Sequence, residues 1–133
     1  MTNHSYFFSK TLFQSSAPFS HIVIAGDVGY VSGIIGQRRD TGALVDSDTA
    51  LQARAMFDNF ETAITEAGFS LSDIVSTRLY LLDYAEFETI NDVYRDRLSS
   101  PFPARTTLQV AALPLGARVQ IDAIVTKATS PAN

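Results

Sequence analysis

The chain has 133 residues, 46% of them apolar, which makes one globular domain with its own core and leaves too little for two ordinary ones. A net charge of −4 repels phosphate backbones and anionic lipid surfaces, so neither nucleic acid nor membrane is an expected partner. The absence of cysteine excludes disulfides, thiolate metal sites and Cys nucleophiles; with no signal-peptide core and no apolar run of membrane-spanning length, a cytoplasmic protein is expected.

In chain order, a short apolar strand is expected around Tyr6–Phe13. "HIVIAGDVGYVSGIIG" carries two apolar runs broken by Gly26-Asp27, a hairpin pattern. "LQARAMFDNFETAITEAG" reads as a helix capped by Asp48 and stopped by Gly68, with Leu51, Ala55, Phe57, Phe60, Ile64 and Ala67 on one side. "DIVSTRLYLLD" is a strand, and "AEFETINDVYRDRL" is a second helix with Pro101 just beyond it. "RTTLQVA" and "RVQIDAIVT" are the last strands, joined by "ALPLGA". Residues 1–133 form a single domain with its core at about 17–126, and 128–133 is expected to be a loose tail.

The order β-β-β-α-β-α-β-β, with one apolar stripe per helix, places both helices on one face of a single sheet. Val119, Ile121, Ala123 and Val125, or their opposites, make the second face apolar too. That face needs cover, and self-association is the simplest source.

Three departures from pattern are candidates for function. Asn91 falls on the buried stripe of the second helix with Phe87, Ile90, Tyr94 and Leu98. From pattern alone, a structural amide bonded to a loop backbone is the better reading. Ser32-Gly33 interrupts a buried strand, either as a bulge or as a place where a ligand meets exposed backbone N–H groups. In the closing strands, Arg105, Thr107 and Gln109 share one face, as do Gln120, Asp122 and Ile124. If "ALPLGA" makes these strands antiparallel neighbours, Arg105 pairs diagonally with Asp122. Its alternative partner is a ligand. His21 is the sole histidine away from the extreme N-terminus, so neither a Ser-His-Asp triad nor a metal cluster can be argued. There is no P-loop and no dinucleotide fingerprint.

From about Ala17 to Val125 the chain resembles the RidA/YjgF family, through "APFSHIVIAGDVGYVSGIIG", "LQARAMFDNFETAITEAGFSLSDIV", "INDVY", "PARTTLQVAALP" and "VQIDAIV" in that order. The resemblance implies an α+β, chorismate-mutase-like fold: a mixed sheet with two helices on one face. It also implies a homotrimer with ligand clefts between subunits. It implies hydrolysis of small enamine or imine acids to 2-oxo acids and ammonia, without a metal or organic cofactor. By the same resemblance Arg105 is the anchor for a substrate carboxylate, because a planar guanidinium offers two parallel hydrogen bonds. Ser32, Gly33 and Ile34 line the cleft, Asn91 lies nearby, and the backbone at Thr107 faces the reacting end. Phe19 stands where the family has a tyrosine, and Gln120 where it has the glutamate that contacts the attacking water. An amide holds a water but is no general base. Two functions therefore follow: a cofactor-independent deaminase, and a module that binds a small carboxylate without turnover. Family members described as endoribonucleases fit this acidic chain poorly.

Overall fold

The structure is a computed structural model that describes residues 3–127. The expectation for the tail at 128–133 lies outside the described residues.

Among the described residues the sheet has six strands: β1 (His4–Phe7), β2 (Ile22–Ala25), β3 (Val28–Ile34), β4 (Ile74–Leu81), β5 (Ala104–Gln109) and β6 (Val119–Thr126). Their spatial order is β1-β2-β3-β6-β4-β5. All pairings are antiparallel except β4 with β5. The predicted element order and the β2–β3 hairpin at Gly26-Asp27 are present. The first strand is shorter and earlier than the Tyr6–Phe13 of the sequence reading.

Helix α1 (Thr49–Glu66) starts where Asp48 accepts the Leu51 N–H and ends before Gly68, whose φ of +95° suits glycine. Its buried face is Gln52, Ala53, Met56, Phe57, Phe60, Ala63 and Ile64. Leu51, expected on that face, is about half exposed. The stripe is rotated because Gln52 has a task inside: its Oε1 accepts the Arg118 N–H and its Nε2 donates to the Asp46 carbonyl. Helix α2 (Phe87–Arg97) buries Ile90, Asn91 and Tyr94 as expected, and Val93 in addition; of the expected stripe, Leu98 just beyond the helix is buried and Phe87 is only partly so.

Both helices pack on one sheet face. Phe57, Phe60, Ile64, Ile90 and Val93 share a single core with Val31, Leu79, Leu81, Val119, Ile121 and Val125. No helix among the described residues is long and apolar enough to cross a membrane.

The closing strands correct the expected pairing. β5 and β6 are not neighbours: β6 runs between β3 and β4, and β5 lies outside β4, parallel to it. Helix α2 is the crossover that a parallel pair requires. The physical reason is burial. Val119, Ile121, Ala123 and Val125 belong beneath the helices at the centre, whereas "ARTTLQ" is polar enough for an edge. The proposed Arg105–Asp122 pair is thereby excluded. Asp122 accepts instead from Arg78 Nε at 2.9 Å and from the Tyr80 hydroxyl at 2.6 Å. Burial, helped by that bond, raises the Tyr80 pKa.

The second sheet face is mixed rather than apolar. Tyr30, Leu108 and Ile124 are exposed on it, interleaved with Gln120 and the Arg78–Tyr80–Asp122 cluster.

Candidate functional site

Strand register decides which predicted residues can meet. Leu79, beneath the helices, pairs with Thr107 on one side and Ile121 on the other. Thr107 and Arg105 therefore point to the helix face at the β5 edge. Tyr80 pairs with Gln120, so Gln120 points to the open face. Within one chain the predicted residues form two groups on opposite faces of the sheet.

The first group surrounds Arg105 in a cleft of about 470 Å³ between α2 and β5. The guanidinium carbon lies 4.7 Å from the Tyr94 ring centre and 5.4 Å from that of Phe87, so two aromatic rings flank the cation. Its Nε donates to Thr107 Oγ1 at 2.9 Å, which fixes the plane of the fork. Tyr94 is held by a 2.8 Å contact between its hydroxyl and that of Thr77, and burial raises its pKa. Arg105 Nη2 is buried without a partner, and Arg105 makes no ion pair among the described residues. Burial lowers its pKa from the ordinary arginine value. A cation in this state, with donors unspent, fits an anion.

Asn91 borders the same cleft. Its Oδ1 is buried and unpartnered, and its Nδ2 reaches Glu88 only at 3.4 Å. The structural-amide reading is therefore corrected: among the described residues no loop backbone is bonded to the Asn91 side chain. The cleft holds a free donor and a free acceptor.

The second group is on the far face. Ser32-Gly33 forms a bulge, since Val31 pairs with Ala123 and Ile34 with Ile121, which sets the two residues between them against the single Asp122. Ser32 donates its N–H to the His21 carbonyl at 2.9 Å and its hydroxyl to the Ser20 carbonyl at 2.6 Å. The Gln120 amide lies across Gly33 so closely that a Cβ there would stand 2.5 Å from Nε2. Phe19 packs beside His21, with ring centres 5.4 Å apart. A cleft of about 810 Å³ joins Phe19, Ser32, Gly33 and Gln120, and among the described residues no titratable side chain lines it. Ile34 lines a small neighbouring cavity with Phe19 and Gly33, although its side chain is 5% exposed and belongs to the core.

Sequence reasoning missed four contributors around Arg105. Periodicity places Phe87 and Tyr94 in the core and assigns no role to the Thr107 hydroxyl or to Tyr84. Tyr84 stacks on Phe87 at 5.0 Å, and its N–H is held by Gln109 Oε1 at 2.7 Å. The shared face of Arg105, Thr107 and Gln109 was the available signal.

Comparison with known proteins identifies the family. The family model described as Endoribonuclease L-PSP matches residues 9–127. The 2-iminobutanoate/2-iminopropanoate deaminase of Dermatophagoides farinae is 37% identical over 112 residues, covering 84% of this chain and 88% of that protein. The human protein of the same name is 36% identical over 107 residues, covering 80% and 78%. The crystal structure of RidA from an Antarctic Psychrobacter superposes with a TM-score of 0.88 at 32% identity, covering 92% of this chain and 99% of that one. With a matching model over nearly its whole length and relatives well above 30% identity, this chain belongs to the Endoribonuclease L-PSP family, the RidA/YjgF family of the sequence resemblance.

Proposed function

We propose that the protein hydrolyses the C=N bond of a small 2-imino acid, giving a 2-oxo acid and ammonia. The observation that carries this reading is Arg105: a guanidinium against two rings, oriented by Thr107, with a buried Nη2 that no group among the described residues satisfies. A substrate carboxylate would accept from that fork. The Asn91 Oδ1 would accept the imine N–H, which the 2-oxo product lacks, so that contact favours substrate over product.

The other half of the reaction needs an attacking water. Gln120 can hold one by hydrogen bonds, but in a single chain it lies on the opposite face from Arg105. A complete site therefore requires a second copy to bring its Gln120 face to the Arg105 edge. The exposed Tyr30, Leu108 and Ile124 on the open face support such an assembly, and a homotrimer is the form proposed. Light scattering should give three times the 14.5 kDa chain. A stable monomer would remove the shared site.

The activity test uses 2-iminopropionate made in situ by an amino-acid oxidase, with semicarbazone formation as the competing trap. Faster loss of the imine with micromolar protein supports the proposal, and a rate equal to buffer alone refutes it.

One observation favours the alternative, binding without turnover. Among the described residues the cleft beside Gln120 has no titratable side chain to take a proton from water. Calorimetric titration with 2-oxobutyrate separates the two readings: heat of binding together with no imine hydrolysis selects the binding module.

A further inference from the structure

The cleft around Arg105 contains a second cation. Arg95 follows Asn91 by one helical turn, so both stand on the flank of α2 that borders the cleft. Two guanidiniums thus line one space of about 470 Å³, and no carboxylate is among the lining residues. The nearest acids on α2 are Glu88, which touches Asn91 from the preceding turn, and Asp92, which holds Arg95.

Arg95 is easily recruited. Its Nη1 meets Asp92 at 3.1 Å, and both side chains are mostly exposed. An ion pair three residues apart on an open helix surface contributes little and releases its cation at small cost. No other hydrogen bond holds the Arg95 side chain among the described residues. The charge is also felt at the anchor. Burial is the larger of the influences that lower the Arg105 pKa, and Arg95 adds to it. An anion entering the cleft relieves that repulsion.

We propose that the cleft takes a dicarboxylic 2-imino acid and its 2-oxo product, with the α-carboxylate on Arg105 and the side-chain carboxylate on Arg95. This rests on the reading of Arg105 as carboxylate anchor. It goes further in assigning Arg95 as the residue that selects an acidic side chain. The competing specificity, an apolar side chain laid against the exposed rings of Tyr84 and Phe102, uses the same cleft.

The test is calorimetric titration of the full chain with 2-oxoglutarate and with 2-oxopentanoate, which differ by a carboxylate in place of a methyl group. One extra charge-assisted contact should make 2-oxoglutarate bind about tenfold more tightly. In Arg95→Gln that ratio should fall to about one. Arg95 lies on the helix surface, so the variant is expected to fold, and a thermal melt checks it. Equal binding of the two acids by the wild type overturns the proposal, as does a preference for 2-oxoglutarate that survives Arg95→Gln. Tighter binding of 2-oxopentanoate overturns it in favour of the aromatic rim. In each of these cases the Arg105 anchor stands. If neither acid binds, the anchor fails and the assignment of Arg95 fails with it.

Discussion

The side chain of Gln120 crosses the backbone of Gly33 at a distance that leaves no room for a Cβ, which would stand 2.5 Å from the amide nitrogen. The glycine in the β3 bulge thus sets where the amide lies. Its neighbour is the far end of a flexible side chain, so Gly33→Ala should fold, at a cost of about 1 kcal/mol in chemical denaturation. Imine hydrolysis should fall about tenfold even where the variant is fully folded, because the amide that holds the water is displaced. Activity that tracks the small loss of stability and no more would mean Gln120 does not position the water.

Arg105→Lys should keep the fold and lose the ligand. Lysine retains the charge but not the fork that Thr107 orients or the flat face that lies against Tyr94 and Phe87. The expected loss of 2-oxobutyrate affinity is about 2 kcal/mol by calorimetry. Unchanged affinity would make Arg105 a rim residue.

Gln120→Glu should speed hydrolysis. A carboxylate accepts a proton that the amide cannot, and general-base help is typically about a hundredfold. The new charge also repels the substrate carboxylate, and burial would raise its pKa. The net gain expected is about tenfold, with a rate that rises with pH as the new group ionises. A fast wild type that Glu slows would show that the reaction uses no base at this position.

His21 should make stability fall in mild acid. Burial lowers its pKa below the ordinary 6.5, and the charge of Glu66 opposes this only in part. Its Nδ1 accepts the Ser9 N–H at 2.8 Å, which requires an unprotonated nitrogen. The unfolded chain takes up a proton near pH 6.5 and the folded one resists. Stability is therefore complete above that pH and is lost below it, at no more than about 1.4 kcal/mol per pH unit. Glu66 has a lowered pKa through bonds from Ser9 and Thr11, so its own loss begins only below about pH 4.5. Urea midpoints between pH 7.5 and 5.5 should slope downward for the wild type and stay flat for His21→Gln. Equal slopes would assign the effect elsewhere.

Local chemistry was readable along the chain. The Gly26-Asp27 hairpin, the Asp48 cap, the Gly68 stop and the buried stripe that carries Asn91 each depend on residues a few positions apart. The alternation that puts Arg105 with Thr107, and Gln120 with Asp122, is local in the same way. Periodicity says which residues share a strand face, but not which strand lies alongside or which face meets the helices. Those choices came from competition for burial across the whole sheet, which drew β6 to the centre and left β5 at the edge. That arrangement separates Arg105 from Asp122, sets Arg105 against Phe87 and Tyr94, and puts Gln120 on the other side of the sheet. The rotation of α1 that exposes Leu51 has the same origin: Gln52 is inside because Arg118 and Asp46, distant in sequence, supply its partners.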